Sequence, residues 1–145
     1  MKINEVPQDQ GFLIEGKLRD VCYAVDENGH YTKKLSTGWA PKNEAMAMAW
    51  DVVFERVEEV RGKILAGGLS PIAFYMELNV MDAQILADYT GISKFKVKKH
   101  LKMKKFRKLE PDVLQKYATT FNISIEDLQN VEKIKQHMFG QADRL

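Results

Sequence analysis

The stretch Ser93–Lys108 reads SKFKVKKHLKMKKFRK and holds nine of the chain's 22 basic residues and none of its 20 acids. The formal net charge is only +2, so the rest of the chain is net acidic. Like charges packed this closely repel one another and oppose compaction. A chain can keep such a run as a disordered tail, as a solvated helix face, or as a surface for a polyanion. The run is internal, and Val97, Leu101, Met103 and Phe106 interrupt it at helical spacing. A tail has no use for those apolar residues. The pattern calls for helix, with the apolar side chains in a core and the lysines in water. Nucleic acid is the polyanion such a face most commonly meets. A face that is merely solvated is the plain alternative.

At 145 residues and 45% hydrophobic, the chain has material for a core and room for one domain or two small ones. A single cysteine, Cys22, rules out an intramolecular disulfide and fits a reducing compartment. With no second cysteine and with His30, His100 and His137 scattered, no metal set is expected. No Ser/His/Asp constellation, P-loop or dinucleotide fingerprint appears, so neither catalytic residues nor a cofactor are expected. Glu58 and Glu59 are neighbours on one helix, point different ways, and read as solvated. The opening MKINEVPQDQ lacks a signal-peptide core, and no apolar run approaches the ~20 residues of a membrane span. The expectation is a soluble, cytoplasmic protein without a membrane partner.

The first half begins as β. Asp20–Val25 and His30–Leu35 flank DENG, an Asn-Gly hairpin signal, and Phe12–Ile14 is a candidate third strand. Trp39, in the loop Ser36–Asn43, is expected to pack back on the sheet. A long helix follows over Glu44–Leu65, with Asn43 as its cap and Gly67-Gly68 as its stop. Its apolar stripe includes Met46, Ala49, Val53, Val57, Val60 and Ile64. A helix of this length spans ~30 Å, more than a small hairpin covers. Part of the stripe should therefore meet another domain or another chain. The second half reads as five helices: Ser70/Pro71 to about Leu78, Ala83–Thr90 behind Asp82, a third from Ser93 to about Met103, a fourth from Pro111 to near Phe121-Asn122, and a fifth from Ser124 towards His137.

Asp82–Lys102 reads as helix, turn, helix. Ala87 is small where a second helix crosses, Gly91 supplies a turn, Ile92 anchors it, and Val97 and Leu101 point inward four residues apart. LADYTGIS at Leu86–Ser93 resembles the start of the helix-turn-helix in lambda-repressor-like DNA-binding domains. LQKYATTFNISIEDL at Leu114–Leu128 resembles the closing helices of that five-helix fold. The resemblance covers about Ser70–Val131. It departs at His100, where the family has an apolar residue, and in the long basic link KMKKFRKLE.

The expected fold is α+β and mostly α: an N-terminal β-hairpin or small sheet plus a long helix, then a five-helix lambda-repressor-like helix-turn-helix domain. The expected divisions are 1–68 for dimerisation or partner docking, 69–135 for DNA binding, and 136–145 as a flexible tail. On a helical wheel Val97, Leu101, His100 and Ser93 gather toward the core, and Phe95, Lys96, Lys98, Lys99 and Lys102 face away. The resemblance implies a DNA-binding protein, sequence-reading or architectural, and a transcriptional regulator that docks this lysine-rich helix in the major groove of double-stranded DNA. The DNA-contacting candidates are Ser93, Lys94, Phe95, Lys96, Lys98, Lys99, Lys102, Lys104, Lys105 and Arg107. Phe95 either meets a thymine methyl or packs on the neighbouring helix. His100 is read as a half-buried histidine bonded to backbone. The face lacks the Arg, Asn and Gln that specify bases best, which leaves a protein- or RNA-interaction module of antitoxin type as the alternative. A homodimer is expected, and a protein partner for the N-terminal region stays open.

Overall fold

The computed structural model describes residues 1–9 and 19–137. The expected strand at Phe12–Ile14 and the tail from residue 138 onward lie outside them. The described residues form two compact units, 1–51 and 52–137, so the division falls at residue 51/52, within one long helix.

In the first unit, β1 (Asp20–Val25) pairs antiparallel with β2 (Tyr31–Ser36), in a register from Asp20 opposite Ser36 to Val25 opposite Tyr31. The second strand starts one residue later than expected because His30 closes the turn. The Asp26 carboxylate accepts the N–H groups of Asn28 (2.8 Å) and His30 (2.9 Å), and Asp26 N–H donates to the His30 carbonyl (2.9 Å). Of the Asn-Gly pair, only Gly29 takes positive φ, at 81°. The N-terminal segment covers one sheet face, with Lys34 donating to the Ile3 carbonyl (2.7 Å) and the Ser36 hydroxyl donating to that of Pro7. The other face leaves Val21, Tyr23, Tyr31 and Leu35 exposed.

Two expectations are corrected here. Trp39 does not pack on the sheet but is 57% exposed. The long helix α1 (Ala40–Leu65) begins four residues early, so Asn43 lies inside its first turn and is not its cap. Asp9 substitutes for that cap from outside the helix, its carboxylate accepting the Ala40 N–H at 3.0 Å. Pro41 fits the first turn, where its missing N–H would have had no partner in the helix.

The second unit contains the rest of α1, then α2 (Pro71–Leu78), α3 (Ala83–Thr90), α4 (Lys94–His100), α5 (Met103–Phe106), α6 (Pro111–Phe121), α7 (Ile125–Gln129) and α8 (Val131–Gln136). The five expected helices are α2, α3, α4, α6 and α7, with two short additions. Helix α4 stops at His100 rather than Met103, and α5 is separate. The expected fifth helix breaks at Asn130, whose side chain accepts the Lys133 N–H (3.0 Å) and starts α8. Helix α2 packs on α6, α7 and α8, and α3 packs on α4 and α6. Phe74, Ile72, Leu86, Val97, Tyr117, Leu128 and Ile134 are fully buried. Full burial of an aliphatic side chain contributes about 1.5–3 kcal/mol, so this core dominates the unit's stability. Val57 and Ile64 of α1 are buried within the chain as well.

Candidate nucleic-acid interface

Local chemistry sets the geometry of the α3–turn–α4 segment. The Asp82 carboxylate accepts the Ile85 N–H (2.8 Å) and starts α3. Gly91 ends it in the left-handed region at φ 70°, donating to the Ala87 carbonyl. The Thr90 hydroxyl donates to the Leu86 carbonyl (2.7 Å) and accepts the Ile92 N–H (3.3 Å), so the turn is hydrogen-bonded from inside. Ile92 is buried and Val97 is completely buried, which fixes the rotation of α4 about its axis. Ser93 stands at the N-cap position without a side-chain capping bond.

The wheel reading of α4 holds for the lysines. Lys94, Phe95, Lys96, Lys98 and Lys99 are exposed, while Val97 is buried. On the inner side His100 and Leu101 are half-buried, and Ser93 is exposed. Phe95 does not pack on a neighbouring helix. It is 68% exposed, with the Lys99 ammonium 4.3 Å from its ring centroid. A cation over a ring holds both side chains at some cost in freedom and presents them together. The basic run continues through Lys102, Lys104, Lys105 and Arg107, all exposed, while Met103 and Phe106 turn inward and are buried. Among the described residues none of these lysines or Arg107 is ion-paired. The ion pairs among the described residues lie elsewhere, as between Lys63 and Glu59 or Lys133 and Asp127.

The C-terminal end of α4 is pinned from a place the sequence did not indicate. Ser70, expected to cap α2, makes no capping bond. Its hydroxyl donates to the His100 carbonyl (2.7 Å) and its N–H to the Leu101 carbonyl (2.8 Å). Met103 N–H donates to the Gly68 carbonyl (3.3 Å). The linker after α1 thus satisfies the free carbonyls where α4 ends, which explains why α4 and α5 are separate helices.

His100 bonds to a side chain, not to backbone. Its Nδ1 lies 2.8 Å from the hydroxyl of Tyr117 on α6. Burial, with a smaller contribution from Lys96, lowers its pKa below the usual 6.5. Burial raises that of Tyr117 well above the normal phenol value. His100, Lys96 and Lys99 line an open cleft with Lys116 of α6. Lys116 carried no signal in the sequence, because it lies on another helix and outside the basic run.

Among the described residues no group of His, Cys, Asp and Glu could hold a metal, and no helix is long and apolar enough to cross a membrane. Residues 74–133, from within α2 to within α8, match the family model of the Cro/C1-type HTH DNA-binding domain. The match covers the elements that carried the lambda-repressor-like resemblance, and this part of the chain is a helix-turn-helix domain of that type. No curated protein and no solved structure matches the chain.

Proposed function

We propose that this Cro/C1-type helix-turn-helix domain makes the protein a non-enzymatic transcriptional regulator that binds double-stranded DNA with α4 in the major groove. The observation that carries the reading is the outer face of α4 and α5. It presents a continuous set of lysines with no acid among them and, among the described residues, no ion pair to neutralise them, on a helix whose rotation is fixed by buried Val97. Ser93, Lys94, Phe95, Lys96, Lys98 and Lys99 are the groove-facing set. Lys102, Lys104, Lys105 and Arg107 extend it along the backbone phosphates. Phe95, exposed and held under Lys99, is suited to contact a thymine methyl. Lysine predominates over Arg, Asn and Gln, so charge supplies most of the affinity.

A homodimer belongs to the same reading. A single seven-residue helix reaches few bases, and pairing doubles the contacts over half-sites one DNA turn apart. Met46, Met48 and Val52, in the stretch of α1 that flanks the unit division, are exposed and support pairing there. The region 1–68 would then serve assembly, and 69–135 DNA. The deciding experiment is a duplex titration over a series of salt concentrations. If about five cations neutralise phosphates, log K falls against log salt with a slope of about −4 to −5. A flat dependence, or no binding at low salt, removes the reading and favours the protein- or RNA-interaction alternative.

A further inference from the structure

Beside α4, on the side of α6, lies an open cleft of about 670 Å³. Ile92 and Val113 form its apolar part, and Lys96, Lys99, His100 and Lys116 supply its polar groups. None of its lining residues is acidic. The four nitrogen-bearing side chains come from two helices, so no single amphipathic pattern accounts for their meeting. A solvated lysine face would place such groups apart, because like charges around one cavity repel.

The His100–Tyr117 bond fixes what the imidazole can offer. Tyr117 is fully buried, and burial keeps its hydroxyl protonated. That buried proton needs an acceptor, and Nδ1 of His100 is the group 2.8 Å away. Nδ1 therefore accepts, and the neutral ring carries its own proton on Nε2. Lys96, Lys99 and Lys116 line the cleft with His100, whose remaining ring nitrogen is then an N–H donor. This is a donor set for tetrahedral oxyanions.

We propose that this cleft is a binding site for a phosphate group, with Lys96, Lys99 and Lys116 neutralising its charge and the Nε2–H of His100 donating to one oxygen. The inference rests on the reading that α4 meets DNA, in which case the group is a backbone phosphate beside the groove-facing helix. A free phosphate ion offers the same chemistry. Lys116 then becomes part of the interface although it lies outside the basic run, and His100, at the position where the sequence departs from its family, is a ligand-contacting residue.

The test uses the full chain with Lys116→Gln and His100→Gln. Lys116 is exposed and its replacement leaves the core intact. In duplex titrations against salt, Lys116→Gln should lower the slope by about 0.9, the value for one phosphate contact. His100→Gln should weaken binding without changing the slope, since a neutral donor releases no counterion. In a separate arm, inorganic phosphate is titrated into the DNA-free protein while the His100 ring signals are followed by NMR. A saturable shift that Lys116→Gln abolishes assigns the site to free phosphate as well. A reduced slope without that shift assigns it to the DNA backbone alone. If the unmodified protein binds duplex steeply, Lys116→Gln leaves the slope unchanged, and phosphate moves no His100 signal, the cleft is not a phosphate site. If the unmodified protein binds no duplex, the DNA reading fails, and the phosphate arm alone decides the cleft.

Discussion

His100 on α4 and Tyr117 on α6 are joined by a hydrogen bond of 2.8 Å, with their rings nearly perpendicular at 84°. The bond places a polar pair where the resemblance called for an apolar residue. It ties α4 to the core helix behind it.

Acid should weaken the fold through His100, whose pKa burial lowers. The folded-state pKa of His100 lies below 6.5, so near and below that value the unfolded chain takes up a proton that the folded chain refuses. Stability contributed by neutral His100 is complete above 6.5 and is lost as pH falls toward the folded-state pKa. Urea midpoints measured on either side of this window should drop on acidification, and His100→Gln should drop less. Tyr117→Phe removes the donor to Nδ1 and should cost about 1 kcal/mol at neutral pH. An equal pH response in the unmodified protein and His100→Gln would dissociate the effect from this residue.

Charge reversal on the outer face should separate binding from folding. Lys98→Glu with Lys99→Glu changes two exposed side chains and should abolish duplex binding while the melting temperature stays put. Val97→Asp puts a charge at a fully buried position and should cost roughly 3 kcal/mol or more, enough to unfold the domain. Circular dichroism melts and duplex titrations of both variants check the pair of outcomes. A silent Val97→Asp with an unfolding lysine pair would mean that α4 is rotated the other way.

Two backbone positions should respond in opposite directions. Val80 sits between α2 and α3 at φ 54°, a conformation that crowds a β-branched side chain, and it is largely exposed. Val80→Gly should stabilise the fold by about 1 kcal/mol. Gly91 uses φ 70° in the turn before α4, and a Cβ there would touch nothing within 4 Å. Gly91→Ala should therefore cost about 1 kcal/mol from the backbone alone. Denaturant midpoints at unchanged slope report both values.

Helix α1 should answer differently at its two ends. Val57 is fully buried within the chain, so Val57→Glu should abolish the cooperative melt of the second unit. Met48 is 69% exposed, so Met48→Glu should leave the melt intact and, if α1 pairs with a second copy, shift the protein toward monomer in sedimentation. A protein that sediments as a monomer at working concentration, with and without DNA, removes the pairing.

The sequence alone dictated the helix-turn-helix. Asp82, Gly91, Ile92 and Val97 act through local bonds and helical spacing, and these are legible along the chain. It also determined the outward lysines, because nine like charges have nowhere else to go. The closing pieces Pro111, Asn122 and Ser124 behaved as their local chemistry dictates, with Asn122 in the left-handed region and Ser124 accepting the Asp127 N–H. Packing settled what depends on partners far along the chain. Ser70 gave up its cap to satisfy carbonyls thirty residues away, and Asp9 took the capping role expected of Asn43 from thirty-one residues before Ala40. Lys116 joined Lys96 and Lys99 because α6 packs behind α3 and beside α4, a pairing no periodicity encodes. His100 found Tyr117 for the same reason: a buried polar group must have a partner, and only the packed fold determines which one is near.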